Sequence, residues 1–164
     1  MASSLFEERP DLQVFYDHGD SSTANVGKIY GHFGDRATRT TNLAEVDIMV
    51  ANAANEILLL IEVEERTALN PKKILGVLMA ILLSERFSFE GQAFSTTPET
   101  VFICAGIINP NGSNAKKITK GIAPRIEKIK AQYSNIGQIK YVLEENVAQV
   151  IGTTERLCHA LLIS

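Results

Sequence analysis

The chain has 164 residues, of which 45% are apolar and 21% are charged, a balance typical of one globular domain with a substantial core. Its formal net charge of −3 excludes binding to nucleic acid or anionic membranes through overall charge, so such binding would need a local basic patch. No apolar run is long enough for a membrane span, the start lacks signal-peptide features, and the two cysteines form no metal motif, which favours a cytoplasmic protein.

Signals for strands and helices alternate along the chain. An N-terminal helix and a strand precede a loop and an irregular or hairpin-like segment. Two β-rich stretches then flank a short turn, and Asn70 and Pro71 favour the N-cap and the first position of the next helix. This order predicts an α/β fold with a mixed sheet flanked by helices, in which Pro124 should kink or divide the third helix. We expect strands at 13–19, 44–52, 56–65, 100–108 and 136–144, and helices at 1–12, 70–87, 113–133 and 153–162.

The two β-rich stretches carry acidic side chains into the predicted sheet. Because side chains alternate along a strand, Asp47 shares a face with Glu45. Likewise Glu62 shares a face with Glu64, and the odd-numbered residues of 57–64 point the other way. A hairpin centred between positions 54 and 55 would place Asp47 opposite Glu62. The same register would place Glu45 opposite Glu64.

Opposed carboxylates repel one another and destabilise a sheet, so something must offset their charge. A raised pKa, a basic side chain or a divalent cation would do so, and Mg²⁺ prefers such oxygen ligands. Alternatively, residues 62–66 are the end of a strand that leaves the core and holds its acids in water, an interpretation that fits Glu64 and Glu65 best. Asp47 interrupts an apolar strand in its middle and is harder to explain in that way. The basic candidates are Arg36, Arg39, Arg66, Lys72 and Lys73.

The stretch EVDIMV…ILLLIEVEE resembles the motif of the PD-(D/E)xK superfamily, the restriction-endonuclease-like nucleases. That motif has an acid on one strand and a second acid on the next, followed two residues later by lysine. Asp47 would be the first acid and Glu62 the second. The predicted element order over roughly residues 1–145 is similar to the family's αβββαβ core. The resemblance therefore implies a single restriction-endonuclease-like domain over 1–164.

The sequence departs from the motif at two positions. Val46 stands where the motif has proline, and Glu64 stands where it has lysine, which gives an ExE variant. A few related restriction enzymes carry ExE, and in other members the lysine has moved to the following helix, where Lys72 and Lys73 lie. A third possibility is a degenerate site. Some members also use an acid on the first helix, for which the candidates are Glu7 and Glu8.

The resemblance implies metal-assisted hydrolysis of phosphodiester bonds in DNA. Asp47 and Glu62 would hold Mg²⁺ or Mn²⁺, with help from the Val63 carbonyl. Glu64 would act as a second metal ligand or as the general base for the attacking water. The lysines that would stabilise negative charge on the phosphate are Lys73 and Lys72.

Nucleic-acid binding needs basic residues outside the acidic cluster. The segment before the Asp47 strand supplies Arg36 and Arg39, and Lys72 opens the following helix. For the basic residues of 115–130 the alternatives are a surface that the substrate approaches and a solvated helix face, and we favour the solvated face. A homodimer is implied by the resemblance, because this fold commonly cleaves duplexes as a dimer, and no membrane partner is expected. The alternative function is a catalytically degenerate protein of this fold that binds nucleic acid or serves in an assembly.

Overall fold

The computed structural model describes residues 9–18, 25–64 and 70–163. Its strands are β1 (Gln13–Tyr16), β2 (Ile29–His32), β3 (Asn42–Val46), β4 (Ile48–Ala51), β5 (Glu56–Glu64), β6 (Arg86–Phe89), β7 (Gln92–Ile107) and β8 (Gln138–Glu144). Its helices are α1 (Pro71–Leu83), α2 (Ser113–Lys116), α3 (Ala123–Tyr133) and α4 (Val147–Leu162). A π-helical turn, Lys117–Ile122, joins α2 to α3.

The eight strands of the described part form one mixed sheet. Its central strands have the order β1-β4-β5-β7-β8. Strand β4 is antiparallel to both of its neighbours, whereas β5, β7 and β8 run parallel to one another. The first residues of β7 pair with β6, and the sheet continues from there through β2 and β3. The prediction of an α/β fold with a mixed sheet flanked by helices is confirmed.

Two apolar cores lie on opposite faces of the central strands. On one face, Leu60 of β5 and Phe102 of β7 pack with buried residues of α1, the π-helical turn and α3. On the other face, Leu59 packs with buried residues of α4. Strand β6 also belongs to the first core, where the rings of Phe89 and Phe15 lie 4.9 Å apart. The central strands are therefore covered by helices on both sides, and the β6 end of the sheet closes the first core.

Helix α1 begins as predicted but ends early. The Asn70 side chain accepts a hydrogen bond from the Lys72 N–H at 2.9 Å, and Pro71 occupies the first turn. The helix stops at Leu83 instead of continuing to 87. The residues that follow become strand β6 because they find partners on both sides, in β2 and β7. The prediction of a helix over 70–87 is therefore wrong for its last turn.

Pro124 marks a division of the helical segment 113–133, as predicted, because the π-helical turn gives way to an α-helix immediately before it. It lies in the first turn of α3, directly after the π-helical turn. There the Arg125 side chain donates a hydrogen bond to the Gly121 carbonyl at 2.7 Å, which satisfies one of the acceptors near the proline.

The C-terminal helix is longer than the sequence predicts. It begins at Val147 rather than at 153, because the Asn146 side chain caps it by accepting a hydrogen bond from the Gln149 N–H at 3.0 Å. None of the helices in residues 9–18, 25–64 and 70–163 combines the length and apolar character that crossing a membrane requires.

Candidate functional site

Asp47 lies at a bend where one stretch of chain changes partners in the sheet. Before the bend, β3 pairs with β2. After the bend, β4 pairs with β1 and β5. Strand β5 continues to Glu64, although its pairing with β4 reaches only Ile61, opposite Ile48. The last residues of β5 therefore extend past the end of β4, beside Asp47.

The hairpin register places Asp47 opposite Glu62, as predicted. Ile48 pairs with Ile61, so the next pair outward is Asp47 with Glu62. This register arises differently from the prediction. Hydrogen bonds between Asn52 and Glu56 close the turn, and one extra residue, Leu58, bulges from β5. The bulge restores the register that the turn alone would have shifted.

The same bulge changes the faces at the start of β5. Ile57 packs in the same core as Leu60, whereas Leu58 packs against the core that contains Leu59. The prediction of strict alternation through 57–64 is therefore wrong before the bulge. It holds after the bulge, where Val63 packs against the same core as Leu59.

Glu45 does not join the acidic site. It pairs with Tyr30 of β2, and its carboxylate bonds the Lys28 ammonium at 2.8 Å. The prediction that Glu45 lies opposite Glu64 is wrong, because the chain bends at Asp47 and takes β3 away from β5. Glu64 instead has Gly106 of β7 as its register partner.

Hydrogen bonds between side chains and backbone connect the two opposed acids. The Asp47 carboxylate accepts a hydrogen bond from the Val63 N–H at 2.7 Å. In return, the Glu62 carboxylate accepts one from the Asp47 N–H. Because β4 begins only at Ile48, these carboxylates occupy the edge of β5 that a longer β4 would have covered. The two acids therefore help to terminate the pairing of β4 with β5.

The electrostatic environment of Glu62 disfavours its charged form. Burial, the negative charge of Asp47 and, to a smaller extent, that of Glu64 raise the pKa of the Glu62 carboxyl to about 8. The Lys73 ammonium and the hydrogen bond from Asp47 act in the opposite direction. In the absence of a cation, Glu62 therefore keeps its proton at neutral pH.

Helix α1 brings a lysine to the end of β5. The Lys73 ammonium forms an ion pair with Glu64, whose side chain is buried while that of Lys73 is half-exposed. Lys72, in the same first turn, is exposed to solvent. The structure therefore brings together Asp47, Glu62, Glu64 and Lys73 of the predicted site residues.

Three further residues continue the line of Asp47 and Glu62 across the sheet. The Asp17 N–H donates to the Asp47 carbonyl at 2.8 Å, one residue beyond the end of β1. On the other side, Glu62 has Cys104 as its register partner, and Cys104 has Tyr141. Sequence reasoning did not connect these residues with the acids. For Cys104 and Tyr141 the reason is that the register between parallel strands far apart in sequence leaves no local signal.

The three additional residues have distinct environments. The Asp17 side chain is only 5% exposed and bonds the Lys28 ammonium at 3.0 Å. Burial, with the charges of Glu62 and Glu64, raises the pKa of the Cys104 thiol to about 12, so this cysteine is a buried, protonated thiol. The Tyr141 hydroxyl is buried and has no hydrogen-bond partner within the described residues.

The other predicted residues lie elsewhere. Arg36 and Arg39 are exposed in the turn between β2 and β3. From Asn42 to Asp47 the chain advances about 17 Å as a strand, so both arginines lie at the far end of β3 from the acids. The remaining candidates, which lie outside the described residues, are Glu7, Glu8 and Arg66.

The oxygen atoms at the site would supply only some of the ligands that a hard cation needs. Among the residues that the structure describes, no three side chains of His, Cys, Asp or Glu lie close enough together to hold a metal ion. Two opposed carboxylates with a nearby carbonyl suit Mg²⁺, which usually keeps several of its waters. Comparisons with protein-family models, curated proteins and solved structures found no match to this chain.

Proposed function

We propose that the protein is a divalent-metal-dependent nuclease that hydrolyses phosphodiester bonds in DNA. One observation carries the proposal: Asp47 lies opposite Glu62 at the end of a hairpin, beside the Glu64–Lys73 ion pair. The positions of these four residues agree with the ExE variant of the PD-(D/E)xK motif, with the lysine supplied by the following helix.

The order of the central elements supports the same proposal. Along the chain, these elements come in the order β1, β4, β5, helix α1 and β7, with β2, β3 and β6 between them. The four strands β1, β4, β5 and β7 are neighbours in the sheet in the same order. This is the βββαβ part of the αβββαβ core expected for a restriction-endonuclease-like fold. On this reading, β2 with β3 and β6 are additions between core elements. The first helix of such a core would fall mostly outside the described residues.

The residues at the bend fit a divalent cation. Asp47 and Glu62 would hold Mg²⁺ or Mn²⁺. Burial and the charge of Asp47 raise the pKa of Glu62, and a cation between the two acids would oppose both effects. The N–H and C=O of a strand residue point to the same side, so the Val63 carbonyl faces the Asp47 side together with the N–H that Asp47 binds. When bound, the metal would polarise the phosphate and lower the pKa of a water.

Glu64 and Lys73 together would replace the lysine of the motif. Glu64 is buried and paired with Lys73, so its main task would be to hold the ammonium beside Asp47 and Glu62. Half of the Lys73 side chain remains exposed, which lets the ammonium face a phosphate oxygen. Lys73 would then stabilise the negative charge that develops on the phosphate.

A second function has its own supporting observation. Hydrogen bonds connect Asp47, Glu62 and Val63 at the point where β4 stops pairing with β5. They give both acids a structural role that is independent of any metal. A protein that had lost cleavage could therefore retain these acids for folding and act as a nucleic-acid-binding or assembly module.

Cleavage assays distinguish the two functions. Single-stranded DNA, duplex DNA and RNA are incubated with Mg²⁺ or Mn²⁺ and the wild-type protein, Asp47→Asn or Glu99→Gln. Asparagine keeps an oxygen that can accept the Val63 N–H but removes the charge, and Glu99 is an exposed acid on β7. We expect the wild type and Glu99→Gln to cleave at equal rates and Asp47→Asn to be at least about 100-fold slower. Equal rates for all three proteins, or no cleavage by any of them, would refute the catalytic proposal.

A further inference from the structure

A strongly basic helical segment runs through 113–133, that is, through α2, the π-helical turn and α3. It has six basic residues and one acidic residue, Glu127, in a chain whose formal net charge is −3. Such a concentration of positive charge is a local exception to the overall charge of the protein.

Most of this positive charge is not neutralised. Lys130 pairs with Glu127 at 2.9 Å and is largely buried. The other basic residues are exposed and form no ion pair with an acid in the described part of the chain. These exposed residues, which we call the basic strip, are Lys116, Lys117, Lys120, Arg125 and Lys128.

The basic strip begins at the edge of the sheet where the acids lie. Strands β5 and β7 are parallel, so their carboxyl ends meet at one edge. Helix α1, which carries Lys72 and Lys73, starts after β5, and the basic segment starts after β7. Helix α1 also packs against the π-helical turn and α3. The first lysines of the strip therefore lie on the same edge, and on the same face of the sheet, as the first turn of α1.

We infer that the basic strip binds the phosphates of a nucleic-acid strand that leads toward Asp47 and Glu62. This inference rests on the proposed function and names the surface that holds its substrate. The thirteen residues from Lys116 to Lys128 span about 18 Å of helix, against one phosphate every ~3.4 Å along each strand of a duplex. The strip is long enough for about five phosphates. Its residues are exposed to solvent, as the interpretation of 115–130 as a solvated face predicts, and the inference adds a ligand for that face.

The chemistry of the strip favours nucleic acid over an anionic membrane. A helix that binds a membrane surface inserts large apolar side chains next to its basic residues. Here the apolar side chains Ile118 and Ile126 are fully buried in the core, and no large apolar side chain is exposed between Ser113 and Lys130. The exposed surface offers cations and small polar groups, which suit a phosphate backbone.

Binding without cleavage tests the inference. Fluorescence anisotropy in EDTA, with 30-nucleotide single-stranded and 30-base-pair DNA probes, compares the wild type with Lys117→Gln/Lys120→Gln. Arg86→Gln/Arg156→Gln is the matched control, since it removes two exposed positive charges outside the strip. We expect the strip variant to bind DNA about tenfold more weakly than the wild type. The slope of log K against log salt should be smaller in magnitude by about 2. The control should stay within about twofold of the wild type.

The outcomes separate this inference from the proposed nuclease activity. If the wild type binds DNA and the two double variants bind equally well, the strip is not the binding surface, whether or not the protein cleaves. If the wild type binds neither DNA probe, whether or not it binds phosphatidylserine vesicles in a parallel assay, the inference is also overturned. If the strip variant alone loses DNA binding while no protein cleaves, the strip is confirmed and only the catalytic proposal fails. Thermal melts of both variants should match the wild type, because all substituted residues are exposed.

Discussion

Glu62 is the residue at which the chemistry of the site is most constrained. Its carboxyl is partly buried, lies opposite Asp47 and is near Glu64, and these surroundings raise its pKa from 4.5 to about 8. The Lys73 ammonium offsets only part of this effect. Without a cation, the folded protein therefore favours a protonated Glu62, whereas the unfolded chain releases that proton near pH 4.5.

The pH dependence of stability follows from this difference. Between about pH 4.5 and 8 the folded state binds more protons at Glu62 than the unfolded state, so the free energy of unfolding should fall as pH rises. Glu62→Gln stays neutral and should remove this fall, which makes the variant more stable than the wild type at pH 9 by about 1–3 kcal/mol. Urea unfolding at pH 5, 7 and 9 in EDTA measures the effect. Glu99→Gln is the control, and a wild type and Glu62→Gln with identical pH dependence would contradict the account.

The bend between β3 and β4 is the element that creates the site. It ends the pairing of β4 with β5 at Ile48, so that carboxylates rather than backbone groups meet the last residues of β5. Because of the bend, Glu45 also lies away from the other acids, and its carboxylate accepts a hydrogen bond from Lys28. The position of the acids therefore depends on how β3 and β4 are divided between two neighbouring strand pairs.

Two glycines test how tightly the elements are packed. A Cβ at Gly137, just before β8, would overlap the carbonyl oxygen of Pro98, whereas a Cβ at Gly76 on the exposed face of α1 meets nothing within 4 Å. Gly137→Ala should therefore destabilise the protein by about 2 kcal/mol or more. Gly76→Ala should stabilise it by about 0.5–1 kcal/mol, because alanine is the better helix former.

Urea unfolding at one pH measures both glycine variants side by side. Far-ultraviolet circular dichroism on the same samples shows whether each variant keeps the wild-type secondary structure. If Gly137→Ala is as stable as Gly76→Ala, the Pro98 carbonyl oxygen does not lie against Gly137 at the start of β8.

Local signals predicted a substantial part of this fold. The Asn70–Pro71 pair marks the start of α1, and the hairpin pattern predicts that Asp47 lies opposite Glu62. Both features depend on residues that are close in sequence. Lys73 comes to the site for the same reason, since the first turn of α1 follows β5 after a short connection.

Features that depend on distant strands could not be predicted from local pattern. The end of α1 was misplaced because Phe87 and Phe89 form a strand only when β2 and β7 are on either side. The alignment of Cys104 and Tyr141 with Glu62 requires the register of three parallel strands. These contacts join residues far apart in sequence, and no short motif records them.

At the scale of the whole molecule, the acids at the bend and the basic strip lie on different elements. The acids lie at the bend beside β5, the basic strip runs along one helical segment, and Arg36 and Arg39 extend from the far end of β3. The proposed nucleic-acid strand would cross the carboxyl edge of the sheet between these groups, despite the net negative charge of the chain. A homodimer stays a prediction.

The central claim is that Asp47 and Glu62 form a metal centre, and a calorimetric titration with Mn²⁺ tests it most directly. The wild type, Asp47→Asn and Glu99→Gln are titrated at pH 8.5, where Glu62 has largely released the proton that competes with the metal. We predict one site in the wild type and in Glu99→Gln, with affinity at least about tenfold weaker in Asp47→Asn. If the wild type binds no Mn²⁺, or Asp47→Asn binds it equally well, Asp47 and Glu62 do not form a metal centre.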